Sequence, residues 1–250
     1  MTLLVNEIHI QGDLKKGFII CAADRRITLR GQFHSNRHKL FRIPYLNACV
    51  GYFGLAQINH RDFLSSWLPN FIKHSCESRS LREFSERLIE TLNRCADTSL
   101  LNSNPSGFHI CGYNADNYPE LWFVRNIEGM EGFAYKGFLP KYLITEDFLA
   151  RDARRYGFDG VHSQISSNFL QYYINGDTRP FHTIWLRLDK FLVEMFSQAD
   201  FVSPTRPSDL EKIVKWKFQV ISTFYKQFAK RKTIGTPVDA FVLLPGENKT

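Results

Sequence analysis

The sequence predicts a layered α+β fold with helices on both sides of its sheets. Strand-like hairpins alternate with pairs of helical stretches, not one strand with one helix, which argues against a doubly wound parallel sheet. The run GFIICAAD (17–24) is apolar at successive positions, so a strand there has to be covered on both faces. Phenylalanine is over-used, with 22 residues against 4 Trp and 10 Tyr, as a thick aromatic core requires.

The elements follow in order. TLLVNEIHI (2–10) and GFIICAAD read as two strands joined by a polar turn that carries Gly12, Asp13 and Gly17. KLFRIP (39–44) and NACVGYF (47–53) form a second hairpin, with Pro44 and Asn47 bracketing its turn. Gly54 opens a helical stretch in which Phe63, Trp67, Phe71 and Ile72 recur at helical spacing. Ser80 and Glu83 make a capping box ahead of a helix with Leu81, Phe84, Leu88, Ile89 and Leu92 on one face. Two strands, 107–114 and 119–126, flank a polar turn. Region 127–180 gives the weakest pattern: a helix around 146–156, then a strand at 170–177 ending in a turn at Asn175-Gly176. Helical stretches follow at 181–197 and 208–231, the second with Leu210, Ile213, Val214, Phe218, Ile221, Phe224, Tyr225 and Phe228 as its apolar residues. TPVDAFVLLPG (236–246) is a last strand. No linker, repeat or low-complexity segment interrupts residues 1–250, so a single domain is expected.

Composition narrows the function. A chain of 250 residues buries enough surface to fold without a metal or disulfide, and its apolar content excludes intrinsic disorder. The five cysteines are odd in number and never spaced C-x-x-C; three lie in apolar runs and read as small buried hydrophobes of a reducing compartment. MTLLVNEIHI has neither the basic start nor the cleavage site of a signal peptide, and the longest apolar run, near 46–56, is too short to span a bilayer. A cytoplasmic protein without membrane association is expected. The net charge of +7 permits an anionic partner, yet no zinc-finger spacing or RNP-like motif accompanies it. Nucleic-acid binding is therefore a rival resting on charge alone. No phosphate-binding glycine loop, G-x-S-x-G elbow or His/Cys cluster at zinc spacing occurs, so no cofactor and no metal is expected.

What remains is the N-terminus. Removal of Met1 ahead of a small residue leaves Thr2 with a free α-amine. That amine, with an ordinary pKa of ~7.7–8.0, is partly neutral near neutrality and can take the proton of the Thr2 hydroxyl. Asp24 ends an apolar strand and Lys39 begins another. If these are neighbours of the first strand in one sheet, the three residues meet at its end. An ammonium beside the hydroxyl lowers that hydroxyl's pKa, and Asp24 keeps Lys39 charged and oriented. A surface ion pair between Asp24 and a nearby Arg is the plainer alternative.

AADRRIT (22–28) followed by Gly31, KLFRIP (39–44), NACVGYFGLA (47–56) and the closing IGTPVDAFVLLPGE (234–247) together resemble a proteasome β-type subunit. The family is the N-terminal nucleophile (Ntn) hydrolases, in the branch of the proteasome β-subunits and HslV. The resemblance implies a four-layer αββα sandwich and a threonine-type peptidase or amidohydrolase acting on a peptide or amide substrate, with homo-oligomeric assembly. It implies Thr2 as nucleophile and base, Asp24 and Lys39 as the supporting pair, Arg26 and Thr28 as site-lining residues, and the backbone N–H of Gly54 or a neighbour as oxyanion donor. It also implies a non-catalytic subunit or scaffold of the same fold as the alternative. The chain departs from the family in the longer Thr2–Asp24 segment, and the family's later Asp and Ser have only Asp152, Asp159 and Ser163 as rough positional candidates.

Overall fold

The computed structural model describes residues 2–10, 14–29, 32–131, 134–145 and 169–247. It is a mixed α/β structure with two open antiparallel sheets and a separate two-stranded hairpin. The helix expected around 146–156, and the candidates Asp152, Asp159 and Ser163, lie outside the described residues.

Strands β1 (Leu3–Ile10) and β2 (Phe18–Asp24) pair antiparallel, as the turn signals between them predict. They are the two interior strands of a four-stranded sheet, flanked by β10 (Phe169–Gly176) next to β1 and β11 (Val238–Leu243) next to β2. The five-stranded sheet runs β5 (Leu40–Ile43), β6 (Ala48–Phe53), β7 (Gly107–Tyr113), β8 (Pro119–Glu131) and β9 (Ala134–Ile144) in spatial order. Asn47, at φ 44°, makes the left-handed turn between β5 and β6. The hairpin is β3 (Arg26–Leu29) with β4 (Gln32–Asn36).

Alternation explains the continuous apolar runs. On β1, Leu4, Ile8 and Ile10 join a core shared with Cys49, Phe53, Cys111 and Phe123 of the five-stranded sheet, whereas Leu3 and Val5 face the other way. On β2, Ile19, Cys21 and Ala23 take the first side, and Phe18, Ile20 and Ala22 the second. Both faces are buried, so both parities carry apolar residues; the polar exceptions on β1 are partnered, Asn6 with His109 and Glu7 with Lys217.

Helices α1 (Leu64–His74) and α2 (Leu81–Cys95) cover the outer face of the five-stranded sheet, packing Leu68, Phe84 and Leu88 on Val50, Phe108 and Ile110. The Ser80 side chain accepts the Glu83 N–H at 3.1 Å, as the capping box predicts, but the Glu83 carboxylate reaches one residue further back, to the Arg79 N–H at 2.9 Å, not to that of Ser80. Gly54 does not open α1: it sits in a turn at φ +84°, and the helix begins ten residues later. The short helix α3 (Thr98–Leu101) precedes β7.

A π-helical turn (Phe181–Trp185) leads into α4 (Leu186–Phe196), which buries none of its side chains. Helix α5 (Pro207–Phe228) lies on the outer face of the four-stranded sheet through Val214, Phe218, Ile221 and Tyr225. Phe224 and Phe228, which the sequence groups with that stripe, are 49% and 78% exposed. The cysteines divide likewise: Cys21, Cys49 and Cys111 are buried, Cys95 is half-buried and Cys76 is exposed; all five are free thiols. No helix among the described residues is long and apolar enough to cross a membrane.

Candidate active site at the start of the first strand

Asp24 ends β2 at a point where the apolar run gives way to charge, and its carboxylate is fully buried. Three donors converge on it. The Leu3 N–H lies 2.8 Å from Oδ1, while the Arg26 N–H at 3.1 Å and Lys39 Nζ at 3.3 Å share Oδ2. Lys39 Nζ also donates to the Arg26 carbonyl at 2.6 Å, and its side chain is 1% exposed. The surface ion pair is thereby excluded for Asp24: its partner is Lys39, inside the protein. The expectation that the three segments share one sheet is corrected. Lys39 immediately precedes β5, in the five-stranded sheet, and it reaches Asp24 in the other sheet.

Burial raises the Asp24 carboxyl above its ordinary value, against the opposing pull of Lys39 and the Leu3 N–H. Burial likewise pushes the Lys39 ammonium below its ordinary value, with Asp24 opposing. Desolvation therefore draws both groups toward neutrality, and the hydrogen bonds to the charged forms resist it.

Thr2 is 3% exposed at the head of β1. Its carbonyl accepts the Asp177 N–H at 2.6 Å, and the next N–H along, that of Leu3, is held by Asp24. Gly176, at φ +92°, is required here: a Cβ on it would stand 1.7 Å from the Thr2 oxygen. The Asp177 carboxylate accepts from both Arg179 Nε (2.7 Å) and Nη2 (2.6 Å), and from the Tyr225 and Thr233 hydroxyls, each at 2.9 Å. Burial opposes its ionisation, but these donors, Arg179 first, hold its pKa below the usual carboxylate range. Two residues past Thr233, Gly235 lies against the Arg26 side chain, its Cβ position 2.9 Å from Cδ. The segment 233–235 thus runs from the Asp177 hub to Arg26, closing a ring of contacts around the first residues of β1.

The other predicted lining residues sit further out. Arg26 lays its guanidinium over the Phe33 ring at 4.8 Å, and Thr28 pairs with Phe33 across the hairpin. Gly54 packs on the Pro105 backbone, where a Cβ would meet the carbonyl oxygen at 1.8 Å. Among the described residues, no hydrogen bond joins Thr28 or Gly54 to the Asp24–Lys39 pair.

By sequence His109 reads only as an isolated surface or hydrogen-bonded histidine, since no ligand partner stands at metal spacing; it is the hydrogen-bonded kind. Its buried ring lies between the two sheets, with the Asn6 amide 2.6 Å from Nδ1 and the Asn175 amide 2.6 Å from Nε2. A neutral imidazole accepts at one nitrogen and donates at the other, so one of the two amides presents its oxygen. Burial pushes the ring's pKa down to about 3. The Tyr135 hydroxyl continues the network, donating to Asn175 Oδ1 (3.0 Å) and accepting the Gly176 N–H (2.6 Å). Asp177 and His109 each left one usable signal: an Asn-Gly-Asp strand end for the first and a histidine inside an apolar run for the second.

Among the described residues, no group of three or more His, Cys, Asp or Glu side chains could hold a metal ion. No protein-family model matches this chain, and no curated protein matches it either.

Proposed function

We propose that this chain is a proteasome-like Ntn hydrolase that cleaves amide or peptide bonds with Thr2 after Met1 is removed. The observation that carries the proposal is the buried Asp24–Lys39 pair, hydrogen-bonded to the first strand one residue from Thr2. The layering supports it too. One core lies between the sheets, a second under α1 and α2, and a third under α5, which is the arrangement a four-layer αββα sandwich requires.

In this reading the Thr2 amine takes the hydroxyl proton as Oγ1 attacks the substrate carbonyl, and a backbone N–H at Gly54 or beside it steadies the oxyanion, a contribution of ~2.7–4 kcal/mol. The amine then passes its proton to the leaving nitrogen. An ester to Thr2 remains until water, deprotonated by the same amine, releases the acid. Lys39 favours the alkoxide electrostatically; Asp24 orients it. No cofactor takes part, and the active form is a homo-oligomer.

A second reading is a non-catalytic scaffold of the same fold: while Met1 is retained the Thr2 nitrogen is an amide, not a base, and Thr2 is 3% exposed. Intact mass and a peptide epoxyketone, which needs both the hydroxyl and the amine of an N-terminal threonine, separate the two. The hydrolase gives a Met1-free mass and an adduct on Thr2 that disappears in Thr2→Ala. Retained Met1, or an unmodified Thr2 in Met1-free protein, establishes the scaffold.

A further inference from the structure

The span 212–238 contains seven lysines and arginines and no Asp or Glu. Four of them, Lys226, Lys230, Arg231 and Lys232, cluster at the end of α5, are exposed and form no ion pair with any described residue. Cations complement the carboxyl end of a helix dipole, but that effect fades within the last turn and asks for one or two charges, not four. The same end carries two surplus aromatics. Phe224 and Phe228 lie 6.0 Å apart on the helix surface, their rings tilted by 49°, and neither belongs to the core beneath α5.

These residues edge a groove of about 560 Å³ between the π-helical turn and the end of α5. Pro180, Ile184, Tyr225 and Ala229 contribute apolar lining, and Lys230 and Arg231 stand at the rim. Across the groove, Arg179 is committed to Asp177 through its bidentate pair, so the unpaired positive charge lies along one side.

We propose that this groove docks a short acidic peptide segment of a partner protein, one that inserts a large apolar side chain between Pro180 and Phe228 and lays its carboxylates on Lys230 and Arg231. The form of the site selects this chemistry. A concave apolar recess takes a side chain, as peptide grooves do, whereas a lipid surface would be met by a convex, inserting face. A nucleic-acid strand would want cations tracking its backbone on both sides of the stacked bases. The inference does not depend on Thr2 chemistry.

The test is to pan a random peptide library against the full chain and against a Lys230→Glu/Arg231→Glu variant, then measure the enriched peptide by fluorescence anisotropy. Enrichment of Asp/Glu next to Phe, Tyr, Trp or Leu is expected. Binding should weaken with added salt, and drop about tenfold in the charge-reversal variant and again in Phe228→Ala. Both variants alter exposed side chains, and unchanged circular dichroism will verify their folding. Enriched peptides without acidic residues, no enrichment at all, or affinity unmoved by either variant would overturn the proposal. So would tighter binding to phosphatidylserine vesicles or to a single-stranded oligonucleotide, each measured in parallel. None of these readouts involves Thr2 labelling, so failure here leaves the hydrolase reading untouched.

Discussion

Removing either partner of the buried Asp24–Lys39 pair leaves the other charged and shut away from solvent. Lys39→Met keeps the side-chain volume and deletes the ammonium. The remaining carboxylate retains the Leu3 and Arg26 N–H groups but loses its counter-charge. Asp24→Asn leaves the ammonium with the Arg26 carbonyl alone. Breaking a buried pair from one side costs about 3–5 kcal/mol, so the two single variants together would sum to about 6–10. The double variant buries an amide and a thioether instead of an uncompensated charge. Its loss should be no larger than that of either single, a coupling of at least about 3 kcal/mol. Urea unfolding followed by circular dichroism measures all four proteins. A second readout comes from pH. In Lys39→Met the Asp24 carboxyl, already raised by burial, loses the ammonium that held it down, so its folded pKa exceeds the unfolded value further. A raised carboxyl takes up a proton on folding, so this variant gains stability relative to wild type as pH falls from about 7 to 5, by up to ~1.4 kcal/mol per unit. Additive single losses, together with a deficit in Lys39→Met that does not change over that range, would refute the account.

Other outcomes follow from the same geometry. His109 is folded with a pKa of about 3 against 6.5 when exposed, so only the unfolded chain takes up its proton as pH drops through that window. Stability should fall by roughly 2–3 kcal/mol between pH ~6.5 and ~4.5, and chemical denaturation of His109→Gln should show that slope flattened. Gly176→Ala places a Cβ against the Thr2 carbonyl at φ +92°, and should cost at least ~2 kcal/mol by urea melt. Under the hydrolase reading it also abolishes Thr2 labelling. Ser80→Ala removes the cap of α2, and thermal unfolding should register a loss of about 1 kcal/mol.

The sequence was most legible where both sides of a strand are covered. Strands β1, β2, β6 and β7 are apolar at both parities because one parity enters the inter-sheet core and the other meets helices. Strand β9 was hidden because it is an edge strand: AYKGFLPKYLI carries Gly137 and Pro140 and is exposed along most of its length. The β3–β4 hairpin was hidden for a related reason, since Gln32, Phe33 and His34 all face solvent and no period-2 contrast survives. At the site, Asp24 and Lys39 were legible as charges that bound apolar runs. The Asp177 hub was not, because its partners Tyr225 and Thr233 lie 48 and 56 residues away and only packing brings them together.

The placement of β1 and β2 inside their sheet has a consequence for how the chain is made. During synthesis these two strands emerge together and can pair at once, long before β10, which begins at Phe169, and β11, at Val238. Until those segments leave the ribosome, the nascent hairpin offers two unsatisfied edges with apolar faces on either side, the features that invite intermolecular pairing. The interval runs from Asp24 to Val238, and β11 closes the exposed side of β2. Removing Val238–Leu243 would therefore make that interval permanent, and we expect such a truncation to aggregate as it is made while a chain shortened only after Glu247 remains soluble.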